Sequence, residues 1–322
     1  KLTILLVGGA GYIGSHINKM LRQEGYPTLV LDNLSRSNRL TIPDTPFIQG
    51  DLNDTYLLSQ IFENHPIGTV MHFAALTDVG ESVRNPAAYY LNNVSYTLNL
   101  LNALVKHGVK YFVYSSSAAI FGLPHSISVN ESHPCNPINP YGETKWMVEM
   151  MLRNFDSAYG VKSCCVRYFN AAGGDPEGKI KYYQSHISNL IPLALKNLKS
   201  GDGTIKINGT DYPTHDGTCI RDYIHIEDLG AAHLLCMKRL WETEISSHYN
   251  LGSGQGFSVR EVIHEIEKVT GKKIDALECG RRPGDPAILV ADPAKAMREL
   301  NWKPRYPLLK TMIEHAWRAL DS

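Results

Sequence analysis

The chain has 322 residues, 43% of them hydrophobic, with 32 Lys and Arg balanced by 32 Asp and Glu, so the formal net charge is zero. That length supports one large or two moderate globular domains with ample core, and the charge balance argues against a broad nucleic-acid footprint. Six cysteines without a C-x-x-C pair read as free thiols of a reducing, cytoplasmic compartment, and no apolar run is long enough to span a bilayer.

Residues 2–7 form a continuous apolar run, the pattern of a parallel strand buried on both faces. The run enters a glycine turn and lacks a small-residue cleavage site, so it is not read as a signal peptide. After Gly8-Gly9-Ala10-Gly11-Tyr12-Ile13-Gly14, the apolar residues Ile17, Met20 and Leu21 fall at helical spacing, and Gly25 closes a helix predicted over 15–25. A short apolar run at 28–31 ends at Asp32. Further strands are predicted within 47–51 and at 69–73, 111–114 and 163–166, with helices over 56–63, 86–107 and 141–159 between them. Strands alternating with helices imply right-handed β-α-β units and a parallel sheet covered on both faces.

Beyond Phe169 the alternation weakens. Residues 171–183 read as a loop, 187–198 as a helix, 204–217 as strand and turn, and 228–240 as a helix. An amphipathic helix over 257–271 carries a cap signature, Ser258 with Glu261 three residues on. The expected fold is α/β, a Rossmann-type doubly wound parallel sheet with a smaller mixed α/β substrate domain. The first would comprise 1–170 with a returning segment near 218–250, and the second 171–217 and 251–322.

The glycines fit two templates, G-x-G-x-x-G from Gly9 and G-x-x-G-x-x-G from Gly8. Either cradles a pyrophosphate, because glycine allows a tight turn and close approach of backbone N–H groups at a helix N-terminus. Asp32 stands eighteen positions after Gly14, where a carboxylate accepts from ribose hydroxyls and repels a 2′-phosphate. This favours NAD over NADP, although Arg36 is close by. Asp51-Leu52 reads either as a grip on the adenine edge or as the cap of the helix near Thr55. Tyr141 and Lys145 lie one helical turn apart on one face, where an ammonium favours the phenolate and makes a usable base. Thirteen scattered His, with His264-Glu265 lacking a second His at the needed spacing, give no metal site.

The order of glycine turn, Ser117 and Y-x-x-x-K resembles the extended short-chain dehydrogenase/reductases. The stretches GGAGYIGSH, LDNLS, VMHFAAL, VGESV, YYLNNV, SSSAAIFG, NPYGETK, RYFNAAGG, GTCIRDYIHIEDL, YNLGSGQGFSV and RRPGDPA follow the order seen in the UDP-glucose 4-epimerase family, over nearly the whole chain. The wider frame, Gly8, Gly11 and Gly14, is the one that goes with these later motifs. The resemblance implies a retained NAD, held by those glycines with Tyr12, Ile13, Asp32, Asn33, Ser35, Asp51, Leu52, Phe73, Ala74, Ala75, Asn92, Phe169, Tyr141 and Lys145. It implies that Tyr141 takes the proton from the sugar 4-hydroxyl and that Ser117 hydrogen-bonds the same oxygen. Lys145 would bind the nicotinamide ribose and lower the Tyr141 pKa. Hydride would leave C4 and return to the opposite face of a 4-keto sugar after the sugar swings in the site. A UDP-hexose is the implied substrate, gripped through Asn170, Asn189, Arg221, Arg282 and Asp285, and a homodimer through the helices 86–107 and 141–159 is the implied assembly.

Several positions depart from the family pattern. Val7 stands where Thr is frequent, Thr77 where many members carry Lys, and Asn208 where an aromatic stacks on uracil. Residues 178–186 lack an acidic pattern. Leu289 stands where a bulky Tyr narrows the sugar pocket in some members, so N-acetylated sugars are expected to fit as well. The rival readings are a nucleotide-sugar 4,6-dehydratase or decarboxylase and a non-catalytic dinucleotide sensor. A dehydratase needs an added acid and base beside Ser117, where Ala118-Ala119 follow, and a sensor is expected to lose part of the Ser117, Tyr141 and Lys145 set.

Overall fold

A computed structural model describes residues 2–181 and 187–320. In chain order its elements are β1 (Thr3–Val7), α1 (Tyr12–Gln23), β2 (Thr28–Asp32), β3 (Phe47–Gln49), α2 (Thr55–Asn64), β4 (Ile67–His72), α3 (Val79–Arg84), α4 (Pro86–Tyr89), α5 (Tyr96–Lys106), β5 (Tyr111–Ser117), β6 (Ser128–Val129), α6 (Pro140–Tyr159) and β7 (Lys162–Tyr168). There follow β8 (Asn170–Ala172), α7 (Leu190–Ser200), β9 (Thr204–Asn208), β10 (Ile220–His225), α8 (Ile226–Thr243), β11 (Ser247–Leu251), β12 (Gly256–Ser258), α9 (Val259–Thr270), β13 (Asp275–Cys279), β14 (Ile288–Ala291), α10 (Ala294–Leu300) and α11 (Leu309–Ala319).

The apolar runs build a wholly parallel seven-stranded sheet in the order β11-β7-β5-β4-β1-β2-β3. Its strands are buried on both faces because helices cover both. Ile17 and Leu21 of α1 pack with Leu229 and Leu240 of α8 on one side. Leu58 and Ile61 of α2, Leu100 and Leu104 of α5, and Val148 and Leu152 of α6 cover the other. Each such side chain contributes about 1.5–3 kcal/mol on leaving water, which is why the strands read as unbroken hydrophobic stretches. Chain order reverses at β1, which has β2 on one side and β4 on the other. Val7 pairs with Leu31 and with His72, so the glycine turn emerges between Asp32 and Phe73 at the carboxyl edge of the sheet. That reversal point is where open α/β sheets bind ligands.

The smaller sheets lie beside this edge. β10 pairs antiparallel with β12 and parallel with β14 over Ile220–Asp222, then changes partner and runs parallel to β8 over Tyr223–His225. β14 continues to β6, and β9 pairs with β13. The helices α7, α9 and α11 bury their own apolar cluster, including Leu195, Ile266 and Ile313, against β9.

Some elements differ from the sequence reading. α1 starts at Tyr12 rather than at 15, so Tyr12 and Ile13 stand in its first turn. The helix expected over 86–107 is one helical run broken at Tyr90–Ser95 by a π-turn, which widens the backbone at Asn92 and Asn93. Ala171 and Ala172 lie in β8, not in a loop. The Ser258 and Glu261 capping box forms as expected and starts α9. Of the unusual stretch 178–186, residues 182–186 lie outside the described residues.

Candidate active site

The glycine turn is closed on itself. Gly8 has φ +78°, its N–H donates to Leu31 O at 2.8 Å, and a Cβ there would lie 2.5 Å from Ala74 N. A Cβ on Gly14 would lie 2.5 Å from Gly8 O. Phe73 and Ala74 donate their N–H groups to Val7 O, which fixes the segment after β4 beside the turn. Among the described residues no side chain caps α1, so its first N–H groups are left for an anion. Asp32 Oδ2 accepts from Ala10 N at 3.0 Å, while Oδ1 accepts from Leu34 N and the Ser37 hydroxyl. A glycine cradle, an uncapped helix start and a carboxylate held at the end of β2 fit the pyrophosphate and ribose of a dinucleotide.

Beside Asp32, Asn33 Nδ2 donates to Asp51 Oδ2 at 2.6 Å and Asn33 Oδ1 accepts from Ser35 N. Asp51 does not cap α2; Asp54 does, through Leu57 N, so Asp51 is left to face Asn33. Leu52 is buried, and its carbonyl accepts from Asn99. Arg36 pairs with Glu81 of α3 at 2.8 Å. Its guanidinium is thus committed to a carboxylate, which leaves Asp32 as the residue at the ribose position. Thr77 is exposed in the loop before α3.

The catalytic candidates converge. Asn139 caps α6 through Gly142 N, and Gly142 lets the helix start press against the turn after β5, where a Cβ would meet Ala119 O at 2.5 Å. This brings Tyr141 beside Ser117, whose hydroxyl acts to lower the phenol pKa and whose Oγ accepts from Ala119 N. One turn on, Lys145 is 2% exposed and donates to Ser115 O at 2.8 Å, with Nζ 5.9 Å from the centre of the Tyr141 ring. Burial pulls Lys145 down to about 7, against the charge of Glu149. Burial also raises Tyr141, with the Ser117 hydrogen bond opposing it. Burial thus sets the direction of the Tyr141 shift in this structure, and Lys145 is not among its causes.

The residues expected to hold the nucleotide form a second group. Arg221 donates to Asp285 Oδ1 at 3.0 Å and Arg282 to Asp285 Oδ2 at 3.2 Å, so one carboxylate bridges both guanidiniums. Asp222 points inward instead, accepting from Ser253 N, Ser253 Oγ, Gly254 N and Ala291 N. Asn170 donates to Asp222 O, and Phe169 is buried just before it. Leu289 is in register with Arg221 and packs near Ala118, Phe121 and Phe169, beside the turn that carries Ser117. Asn189 stands at the start of α7 and Asn208 at the end of β9, apart from this group in the hydrogen-bond pattern. Asn92 donates to Asn93.

Sequence reasoning missed three polar residues that hold these groups in place. Asn93 clamps Leu76 N and O and donates to Thr144 of α6. Asp222 joins β10 to β14 and to the segment before β12. Glu149 forms a buried pair with Arg167 and accepts from Ser116. Only Glu149 left a signal, standing at i+8 from Tyr141 on the same helix face.

Comparison with known proteins agrees with this geometry. Residues 4–252 match the family described as "NAD dependent epimerase/dehydratase family". A UDP-glucose 4-epimerase of Halalkalibacterium halodurans is 48% identical over 98% of this chain and 95% of its own length. One from Lactobacillus helveticus is 45% identical over 98% of this chain and 96% of its own. A Brucella ovis UDP-glucose 4-epimerase solved in complex with NAD superposes with a TM-score of 0.95 at 40% identity, covering 99% of this chain and 98% of that one. A Bifidobacterium longum enzyme with NAD+ and UDP gives 0.92 at 36% identity, covering 98% and 97%. The chain belongs to the NAD dependent epimerase/dehydratase family and, within it, to the UDP-glucose 4-epimerases.

Proposed function

We propose that this chain is an NAD-dependent isomerase that interconverts UDP-glucose and UDP-galactose by inverting C4. The observation that carries the reading is the pairing of the buried Tyr141 and Lys145 with the half-buried Ser117 at the end of β5, in a chain that also carries the glycine turn and two arginines joined by Asp285. Bound NAD supplies the acceptor and donor of one hydride at C4. The Tyr141 oxygen takes and returns the proton of the 4-hydroxyl, and Ser117 holds that oxygen by a hydrogen bond. Lys145 is assigned to the nicotinamide ribose and to favouring the phenolate against the burial that raises it. Gly8, Gly11, Gly14, Tyr12, Ile13 and Asp32 are assigned to the dinucleotide, with Asn33, Ser35, Asp51, Leu52, Phe73, Ala74, Ala75, Asn92 and Phe169 around it. Arg221, Arg282, Asp285, Asn170 and Asn189 are assigned to the nucleotide of the substrate, two guanidiniums suiting a diphosphate. A firm hold on the nucleotide and a loose one on the sugar lets the sugar turn between hydride transfers.

The domain division proposed is a nucleotide-binding unit of 1–170 with the returning segment near 218–250, and a substrate unit from 171–217 and 251–322. The second unit owns the cluster under α7, α9 and α11, which supports this division. A homodimer is proposed through α5 and α6, on which Leu98, Met147 and Met150 are exposed whereas Leu101 is core. Six free cysteines support a reducing, cytoplasmic location, and among the described residues no helix is long and apolar enough to cross a membrane.

The test is incubation with UDP-galactose without added NAD, followed by product analysis. Formation of UDP-glucose is expected; NADH accumulating in step with product would refute the assignment. Leu289 favours a wider range, because a leucine between Arg221 and the Ser117 turn leaves more room than a tyrosine. UDP-N-acetylgalactosamine is accordingly expected to turn over, and Leu289→Tyr to reduce that turnover more than turnover of UDP-galactose. No reaction of the unaltered protein with the N-acetylated sugar would refute this extension.

A further inference from the structure

The three serines that end β5 each meet a different turn of α6. Ser117 stands beside Tyr141 and acts to lower its pKa, the Ser115 carbonyl accepts from Lys145 at 2.8 Å, and the Ser116 hydroxyl donates to Glu149 at 2.6 Å. Tyr141, Lys145 and Glu149 follow at i, i+4 and i+8, which places them along one helix face. The carboxylate at the end of this ladder is fixed from the next strand. Arg167 of β7 reaches it through Nε at 3.0 Å and 3.2 Å and through Nη2 at 2.6 Å, a forked pair in which both residues are buried.

A buried ion pair of this kind is a poor means of stabilising a fold, since removing two charges from water costs about as much as their attraction returns. Its place on the ladder gives it a different use. Lys145 is surrounded by groups that do little to favour its charge. Tyr141 shares its helix face, Tyr114 of β5 lies 5.0 Å from its Nζ by ring centre, His72 of β4 faces it as a neutral imidazole, and Cys165, Tyr168 and Arg167 stand on β7. Glu149 is the carboxylate acting on Lys145 from this set.

We propose that Glu149, held by Arg167 and Ser116, is a positioning residue that keeps Lys145 charged and seated on the Ser115 carbonyl, and so sets the pH range over which Tyr141 works. The inference rests on the epimerase reading for its consequence, but not for its geometry. Lysine is charged below its folded pKa and loses the charge as pH rises through it. Removing the carboxylate therefore moves the loss of charge to lower pH. Opposite charges one helical turn apart, about 6 Å, at an effective dielectric of about 20 correspond to a movement of about one to two pH units.

The experiment follows the Lys145 ammonium by heteronuclear NMR across a pH series in the NAD-loaded protein, unaltered and as Glu149→Gln, with epimerase pH profiles measured in parallel. The expected result is a titration midpoint moved to lower pH by about one unit or more and an alkaline limb of kcat that moves with it, both largely restored in Glu149→Asp. Should Glu149→Gln fold poorly, Glu149→Gln/Arg167→Gln leaves no unpaired buried charge and is expected to move the midpoint in the same direction. A Lys145 midpoint unchanged in folded variants, or kcat reduced equally at every pH, would overturn the proposal. Because the NMR midpoint needs no turnover, failure of the epimerase assignment would show separately, as an inactive unaltered protein with a normally shifted lysine.

Discussion

Replacing Gly14 by alanine sets two effects of opposite sign against each other. Gly14 lies inside α1, where alanine in place of glycine ordinarily stabilises by about 0.5–1 kcal/mol. Here the added Cβ would stand 2.5 Å from Gly8 O and 2.7 Å from the Gly9 Cα, against the 3.4 Å at which ordinary contact begins. Both obstacles are backbone, so no side chain can rotate away and the turn must open by nearly an ångström. Forced overpacking of this size costs about 1–3 kcal/mol, which cancels or exceeds the helix gain. The larger effect falls on the dinucleotide, because opening moves the N–H groups at the start of α1 away from the pyrophosphate. Loss of one charge-assisted hydrogen bond, about 1.5–3 kcal/mol, weakens NAD binding by roughly 10- to 100-fold. The assay is the ratio of 260 to 280 nm absorbance of the purified protein, with the NAD dissociation constant from fluorescence titration and the melting temperature alongside. A variant that retains full NAD and melts higher than the unaltered protein would show that the turn is not closed as described.

Other outcomes follow from the same geometry. Tyr141→Phe removes one hydroxyl and leaves the ring packing; turnover of UDP-galactose is expected to fall by about 10²- to 10⁴-fold with NAD content unchanged, and near-normal turnover would remove Tyr141 as the base. Glu227, at the start of α8, is pushed by burial from 4.5 to about 7. A carboxyl raised in this way stabilises the fold below its unfolded pKa, and that contribution is lost as pH rises through about 7. The melting temperature should thus decline over this interval and decline less in Glu227→Gln; parallel curves for the two proteins would refute the assignment. The Arg36–Glu81 pair joins the segments that leave β2 and β4 on either side of the glycine turn. Glu81→Gln is expected to speed NAD release by about two- to fivefold at low salt, with the difference shrinking at high salt, as for a partly exposed ion pair. An equal release rate at both salt levels would mean that the pair does not span the bound cofactor.

Six of the seven strands of the large sheet were legible as apolar runs, because the inner ones are buried on both faces; the edge strand β11, Ser247–Leu251, reads as a polar SHYNL and was not expected. The glycine turn, Asp32 and the Tyr141–Lys145 spacing were legible because each is a local pattern. β8, β12 and β14 were not, being three or four residues long and held by partners far away in the chain. The π-turn at Tyr90–Ser95 has no local signature, since its residues keep helical composition while the hydrogen bonding changes. In the sequence Asp222 is only the acid that follows Arg221. Its four donors come from Ser253, Gly254 and Ala291, a convergence that only the folded chain reveals. The direction of the Tyr141 shift was not legible for a related reason: the spacing to Lys145 shows proximity, but the burial that raises the phenol depends on everything packed around the ring.

β10, in the segment proposed to return to the nucleotide-binding unit, is hydrogen-bonded to β12 and β14 of the proposed substrate unit and then to β8, and it leads directly into α8. A clamshell hinge between the two units would have to break this strand's pairing or shear the Asp222 bonds that cross it. On the proposed reading, both sugar faces are then expected to reach the cofactor by rotation of the loosely held part of the ligand, with the scaffold as a fixed bearing, rather than by opening and reclosing of the protein.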